Sequence, residues 1–436
     1  FGEECISVMI QTILHYLIFL PNVVPPIGWI SSDTLSSFPI ETFPWALFFC
    51  FHRKLVIDKL YIVLMLVFAA STAITIARYG QFTNSIRSYL AFLNASLIFY
   101  RIIGADKEEF LGLIKAILVI FILNYVVSIL QYVDLFPEIV ADVYKIFVPR
   151  FSAESEAGGG RGVYGLFAEP AYSANFMHFM FAFIILWWRL SPFEWKGTIA
   201  FSAMLLFDLV LNKSGTSIVL LAILFMSFLE WKHLWRTLVV GLVGLFLVAY
   251  ASREMDDPPR AIQLVNNIFF TPETDDLFLT VLNESGFRLI GVMAGYLYGF
   301  VHIFGGGIGS WPVSSVVAME MTGIESFEIY YFLEFNDGFY LGIRPTAFAA
   351  ALFLEAGLAG FSIFSYVFFK NFIAIPYRQN PFWRAVLNLF LFYFFCLGII
   401  GDPTPFIMIA MSFLALTVYP ISESAIDQGA GRDEFR

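Results

Sequence analysis

Runs of roughly 17–25 apolar residues recur along this chain, each about as long as a helix needs to cross the hydrocarbon of a bilayer. That medium offers no water to backbone N–H and C=O groups, so only helices or a closed barrel can span it. Barrel strands alternate apolar and polar residues, whereas these runs are continuous, which leaves helices. Composition agrees: 59% of the 436 residues are hydrophobic and 14% charged, against about 45–50% and about 25% in soluble domains. The expected fold class is all-α, a polytopic membrane protein with residues 1–436 as a single integral membrane domain.

About 12 candidate spans lie near 5–22, 38–52, 60–78, 88–103, 109–133, 171–188, 197–212, 216–230, 234–251, 346–370, 383–400 and 404–420. Lysines and arginines in the short connections mark the inner side. His52-Arg53-Lys54, Lys107, Arg189 with Lys196, Lys232 with Arg236, and Lys370 with Arg378 and Arg384 all fall on one side. An even number of spans puts both termini there too, in the cytoplasm. The opposite side receives two large loops, 135–170 and 252–344. The second carries four arginines, 12 Asp and Glu and no lysine, which suits a long translocated loop. The chain opens on Phe1, so a trimmed N-terminus is expected, with the first apolar run retained as a span.

The net charge of −10 argues against nucleic acid as a partner. Cys5, Cys50 and Cys396 lie in apolar runs without ligand spacing, so neither a disulfide framework nor a metal site is expected. No pair of Gly/Pro-broken spans in corresponding halves points to a secondary transporter.

Candidate chemistry gathers in the outer loops. In a helix over 288–303, Arg288, Gly291, Gly295, Gly299 and His302 share a stripe roughly 80° wide. Glycine at every fourth position admits another backbone closely. The stripe is either a groove floor flanked by a guanidinium and an imidazole, or a packing seam with Arg288 as its outer anchor. A straight helix holds Arg288 and His302 about 21 Å apart, too far to grip one phosphate. Gly305-Gly-Gly-Ile-Gly309 follows His302. Its amides could cradle an anion, or the run could be a hinge.

The other loop contains Arg161-Gly-Val-Tyr-Gly-Leu-Phe-Ala-Glu169-Pro170. Glu169 stands at the mouth of a span, where a carboxylate is costly unless paired or used. Lys213 sits in an outer turn, Leu211-Asn-Lys-Ser-Gly-Thr-Ser217, where it could bind substrate or merely snorkel from a capped hairpin. Arg344 closes the large loop just before the next span.

Four local patterns resemble the Wzy-type O-antigen and exopolysaccharide polymerases and, more distantly, the O-antigen ligases. His302-Ile-Phe-Gly-Gly-Gly-Ile-Gly309 is similar to that superfamily's His-Pro-x-x-Gly-x-Gly segment, with Ile303 in place of proline. Gly165-Leu-Phe-Ala-Glu169-Pro170 is similar to Gly-Leu-Phe-x-Glu-Pro, and Glu355-Ala-Gly357-Leu-Ala-Gly360 to Glu-x-Gly-x-x-Gly. Lys213-Ser-Gly-Thr216 stands at a Ser-Arg-Thr/Gly position, with Gly215 where arginine is common. Arg288 to Gly299 also fits an Arg-x10-Gly pattern of polymerase loops.

The resemblance implies a GT-C-like glycosyltransferase of the bacterial inner membrane. Its substrate would be an oligosaccharide repeat on undecaprenyl pyrophosphate at the periplasmic face, and a chain-length regulator is an implied partner. Arg161, Arg288, Arg344 and Lys213 are expected to bind pyrophosphate, with His302 or Glu169 as base for the acceptor hydroxyl. Arginine needs no metal for that work, and no cofactor is expected. Two alternatives remain: a ligase of the same superfamily, and a lipid-linked oligosaccharide flippase or transporter.

Overall fold

The computed structural model describes residues 11–13, 15–16, 57–133, 135, 162–167, 170–190, 202–212, 214–229, 260–270, 276–372, 380–398 and 402–418, with single positions between 199 and 250. Helices fill most of these residues, and no strand occurs among them. In chain order the first are α1 (Lys59–Tyr79), α2 (Phe82–Ile103), α3 (Lys107–Tyr132) and α4 (Pro170–Leu190). A π turn, Phe207–Leu211, precedes α5 (Gly215–Phe228). Then come α6 (Arg260–Phe269), α7 (Leu277–Ser285), α8 (Phe287–Val301), α9 (Trp311–Glu320) and α10 (Tyr330–Phe335). The last three are α11 (Phe348–Phe369), α12 (Pro381–Phe392) and α13 (Thr404–Val418).

α1, α2, α3, α4 and α11 are long and apolar enough to cross a membrane, and α5, α12 and α13 are shorter apolar helices. They coincide with the runs expected at 60–78, 88–103, 109–133, 171–188, 216–230, 346–370, 383–400 and 404–420. The run 38–52 lies outside the described residues, and 5–22, 197–212 and 234–251 are described only in part.

Helix ends follow local chemistry. Asp58 caps α1 by accepting from the Leu60 amide at 2.7 Å, and Gly80 closes that helix at φ 68°. Asp106 caps α3, whose first turn carries Glu108 and Glu109. Several helix ends are joined by charged and polar contacts. Lys370 after α11 pairs with Asp58 before α1, and Arg101 of α2 pairs with buried Glu109 of α3. The Arg384 Nε of α12 donates to the Ser227 carbonyl of α5 at 2.6 Å.

Phenylalanine fills the interior. Phe348 and Phe394 stack at 5.1 Å, Phe368 and Phe390 at 5.5 Å. Phe406 meets Phe368 edge-on at 5.1 Å. Against a lipid reference, burying apolar surface contributes little, so close contacts of this kind are what hold helices together.

Within the segment 252–344 the helix expected over 288–303 is present as α8, and it packs against α11. α7 and α8 meet at a 106° bend, made at Gly286 with φ 60° and ψ −140°. α8 then runs parallel to α11. A Cβ added at Gly291, Gly295 or Gly299 would approach Pro345, Ala350 and Phe353 in turn, at 3.9, 2.7 and 2.5 Å. The chain turns at 302–310 and returns as α9, which touches both α8 and α11. Phe300, Val301, Ile303 and Phe304 at the tip are exposed.

Candidate functional site

The glycine-rich turn and the Glu-x-Gly segment of α11 interlock. Gly357 interrupts α11 at φ 66° and ψ −175°, which deprives the Leu354 and Glu355 carbonyls of their ordinary helical donors. The turn supplies replacements: Gly306 N–H donates to the Leu354 carbonyl and Gly307 N–H to the Glu355 carbonyl, both at 2.9 Å. Ala359 N–H, freed by the same break, donates to the Ile303 carbonyl at 3.0 Å. Bonds missing from one helix are thus made by another segment, as a low-dielectric interior demands. Glycine is required on both sides. A Cβ on Gly305 would lie 2.5 Å from the Gly357 nitrogen, and one on Gly357 2.2 Å from the Ile303 oxygen.

Every amide from Gly305 to Ser310 has a protein acceptor. Besides those named, Gly305 donates to the His302 carbonyl at 2.7 Å and Ser310 to that of Gly307 at 3.0 Å. Ile308 donates to Ser71 Oγ at 3.1 Å, and Gly309 to Glu355 Oε2 at 2.7 Å. The turn is therefore a docking element: its amides are not open to an anion, and a run fastened in this way is not a hinge either. A substrate anion at this place has to be met by side chains.

Arg344 and Glu355 hold the interlock from the loop side. Both are buried, with Arg344 Nη2 2.5 Å from Glu355 Oε1, and the guanidinium carbon lies 5.9 Å from the Phe92 ring centroid. Burial pulls the Arg344 guanidinium below its usual pKa, and the adjacent carboxylate opposes that shift. Arg288 and His302 are exposed, at opposite ends of the unbroken α8. Their separation stays about 21 Å along the axis, too far for both to grip one phosphate. His302 follows the last turn of α8 and packs its ring on Tyr298 at 4.2 Å. The glycine stripe between them is the packing seam against α11.

A second knot lies beside the other two patterns. Val163 N–H donates to the Leu211 carbonyl at 2.9 Å. Asn212 Nδ2 reaches the Pro170 carbonyl at 2.8 Å. From α3, Gln131 accepts from Gly165 N–H at 2.9 Å and donates to its carbonyl at 2.8 Å, and Asn124 accepts from Leu166 N–H at 2.8 Å. A Cβ on Gly165 would fall 2.3 Å from Asn124 Oδ1. Tyr164, pushed up to about 12 by burial, is a neutral phenol. Arg161, Glu169 and Lys213 lie outside the described residues, though their neighbours Gly162, Pro170 and Asn212 belong to this knot or border it.

One cluster escaped the sequence reading. His178 of α4, Asp208 of the π turn and Ser217 of α5 form a buried hydrogen-bonded chain. The available signal was a lone ionisable residue inside each of two apolar runs. Among the described residues no group of three or more His, Cys, Asp or Glu could hold a metal ion.

The chain matches no family model, no curated protein and no solved structure. What it does has to be argued from its own residues.

Proposed function

We propose that this chain is a polysaccharide polymerase of the bacterial inner membrane. It would transfer a growing glycan from undecaprenyl pyrophosphate to a new lipid-linked repeat at the periplasmic face. One observation supports the reading: two of the patterns behind the resemblance pack together, and residues beside the other two do as well. His302–Gly309 locks onto Leu354–Gly360, and Val163 and Pro170 bond to Leu211 and Asn212.

In the proposed reaction an acceptor hydroxyl oxygen attacks the anomeric carbon. The bond from that carbon to the pyrophosphate oxygen breaks, and undecaprenyl pyrophosphate leaves. The hydroxyl proton passes to His302 or Glu169. Arg288, Arg161 and Lys213 balance the departing charge by hydrogen bonds and need no metal. Arg344 is held by Glu355, so its part is to shape the site unless substrate draws it away.

A transporter of lipid-linked oligosaccharide is the second reading, favoured by the His178–Asp208 pair buried inside the bundle. Deleting the gene in its host separates the readings. Single-repeat surface glycan supports the polymerase, and loss of all surface glycan supports the transporter. Long polymer held on undecaprenyl pyrophosphate would instead mark a ligase.

A further inference from the structure

His178 is the sole Asp, Glu, Lys, Arg or His of 171–188, and Asp208 the sole one of 197–212. Their side chains are fully buried, with Nε2 3.0 Å from Oδ2. The other ring nitrogen, Nδ1, lies 2.7 Å from the Ala174 carbonyl oxygen. A carbonyl can only accept, so Nδ1 carries a hydrogen. One proton then remains to be shared between Nε2 and Oδ2. The pair is either imidazolium with carboxylate or neutral imidazole with carboxylic acid. Both forms have no net charge, which is what a buried site among apolar helices tolerates. Ser217 Oγ donates to the second carboxyl oxygen, Oδ1.

These contacts fasten three elements at one height. His178 belongs to α4, Asp208 to the π turn and Ser217 to the first turn of α5. The wide turn returns Asn212 N–H to the Phe207 carbonyl at 2.7 Å. That leaves the Leu211 carbonyl for Val163 and the Asn212 side chain for Pro170. A π insertion inside an apolar helix often marks a functional place. Here its effect is to present backbone and amide groups to the outer segment.

We propose that His178, Asp208 and Ser217 are positioning residues, forming a one-proton, net-neutral lock. The lock fixes Leu211 and Asn212 and through them residues 163–167 and Pro170. Its effect on turnover rests on the polymerase reading, but its effect on geometry does not.

The test uses the full chain in nanodiscs with His178→Gln, Asp208→Asn and the double variant. Nitrogen-15 NMR of labelled histidine reports the proton, and amide hydrogen exchange of 162–167 reports the segment. Polymer formation from a defined lipid-linked repeat reports turnover. His178 Nδ1 is expected to be protonated. His178→Gln strands a carboxylate and is expected to speed exchange at Val163, Gly165 and Leu166 roughly tenfold, a shift of about 1.4 kcal/mol. kcat per folded molecule is expected to fall by a similar factor. The neutral double variant is expected to regain most of both.

An unprotonated Nδ1, unchanged exchange in His178→Gln, or a double variant as impaired as the single one overturns the lock. So does a fall in unfolding midpoint that accounts for the lost activity, because the role is then stability alone. Lost function in Asp208→Asn with unchanged exchange also overturns it, and makes the pair a proton-handling site. If the unaltered protein makes no polymer, the polymerase reading fails while the exchange and NMR results still decide the lock.

Discussion

Replacing Gly305 by alanine probes the interlock directly. Gly305 has φ +69°, and its added Cβ would lie 2.5 Å from the Gly357 nitrogen and 2.6 Å from the Glu355 carbonyl carbon and oxygen. The left-handed conformation alone costs a non-glycine residue about 1–2 kcal/mol. The obstructing atoms are backbone, so no rotamer change relieves them, and overpacking adds about 1–3 kcal/mol. The total is about 2–5 kcal/mol, before any loss of the bonds from Gly306, Gly307 and Ala359. Gly80 is the matched control, with φ +68° and nothing within 4 Å of an added Cβ; its replacement should cost about 1–2 kcal/mol. Denaturant unfolding of both purified variants in one detergent gives the comparison. If Gly305→Ala is no more destabilised than Gly80→Ala, the interlock does not support the fold as argued.

Two further substitutions test the buried groups around it. Arg344→Met leaves the Glu355 carboxylate without its cation and should cost about 3–5 kcal/mol. Adding Glu355→Gln should recover part, since the amide oxygen can still accept from Gly309; equal losses in single and double variants would contradict the pairing. Gln131→Leu removes both partners of the Gly165 peptide, about 1–3 kcal/mol for each group left unsatisfied. Amide exchange of 162–167 should quicken, and unchanged protection would remove Gln131 from the knot.

The apolar runs told which residues form helices, because length and continuity leave a chain in lipid few other choices. The basic residues sorted the connections by side but named no partners; the meetings of Lys370 with Asp58 and of Arg384 with Ser227 come from packing. The stripe at Gly291, Gly295 and Gly299 was legible as a close-approach seam, but its partner was not. That partner is the start of α11, some fifty residues onward, and no periodicity links the two. The exchange of backbone bonds between 303–309 and 354–359 was equally hidden. It depends on a helix break at Gly357 that looks like any Glu-x-Gly in sequence. His178 and Asp208 stood in view as lone ionisable residues, yet only packing could pair them.

The claim at the centre is that this outer face joins lipid-linked glycan repeats. Purified protein in nanodiscs, given a defined undecaprenyl-pyrophosphate oligosaccharide, should produce a ladder of polymers, undiminished by EDTA. The ladder should fail with Arg288→Ala while the variant's folded amount stays normal. A substrate that stays a single repeat with well-folded protein, or full-length polymer from Arg288→Ala, would contradict the account.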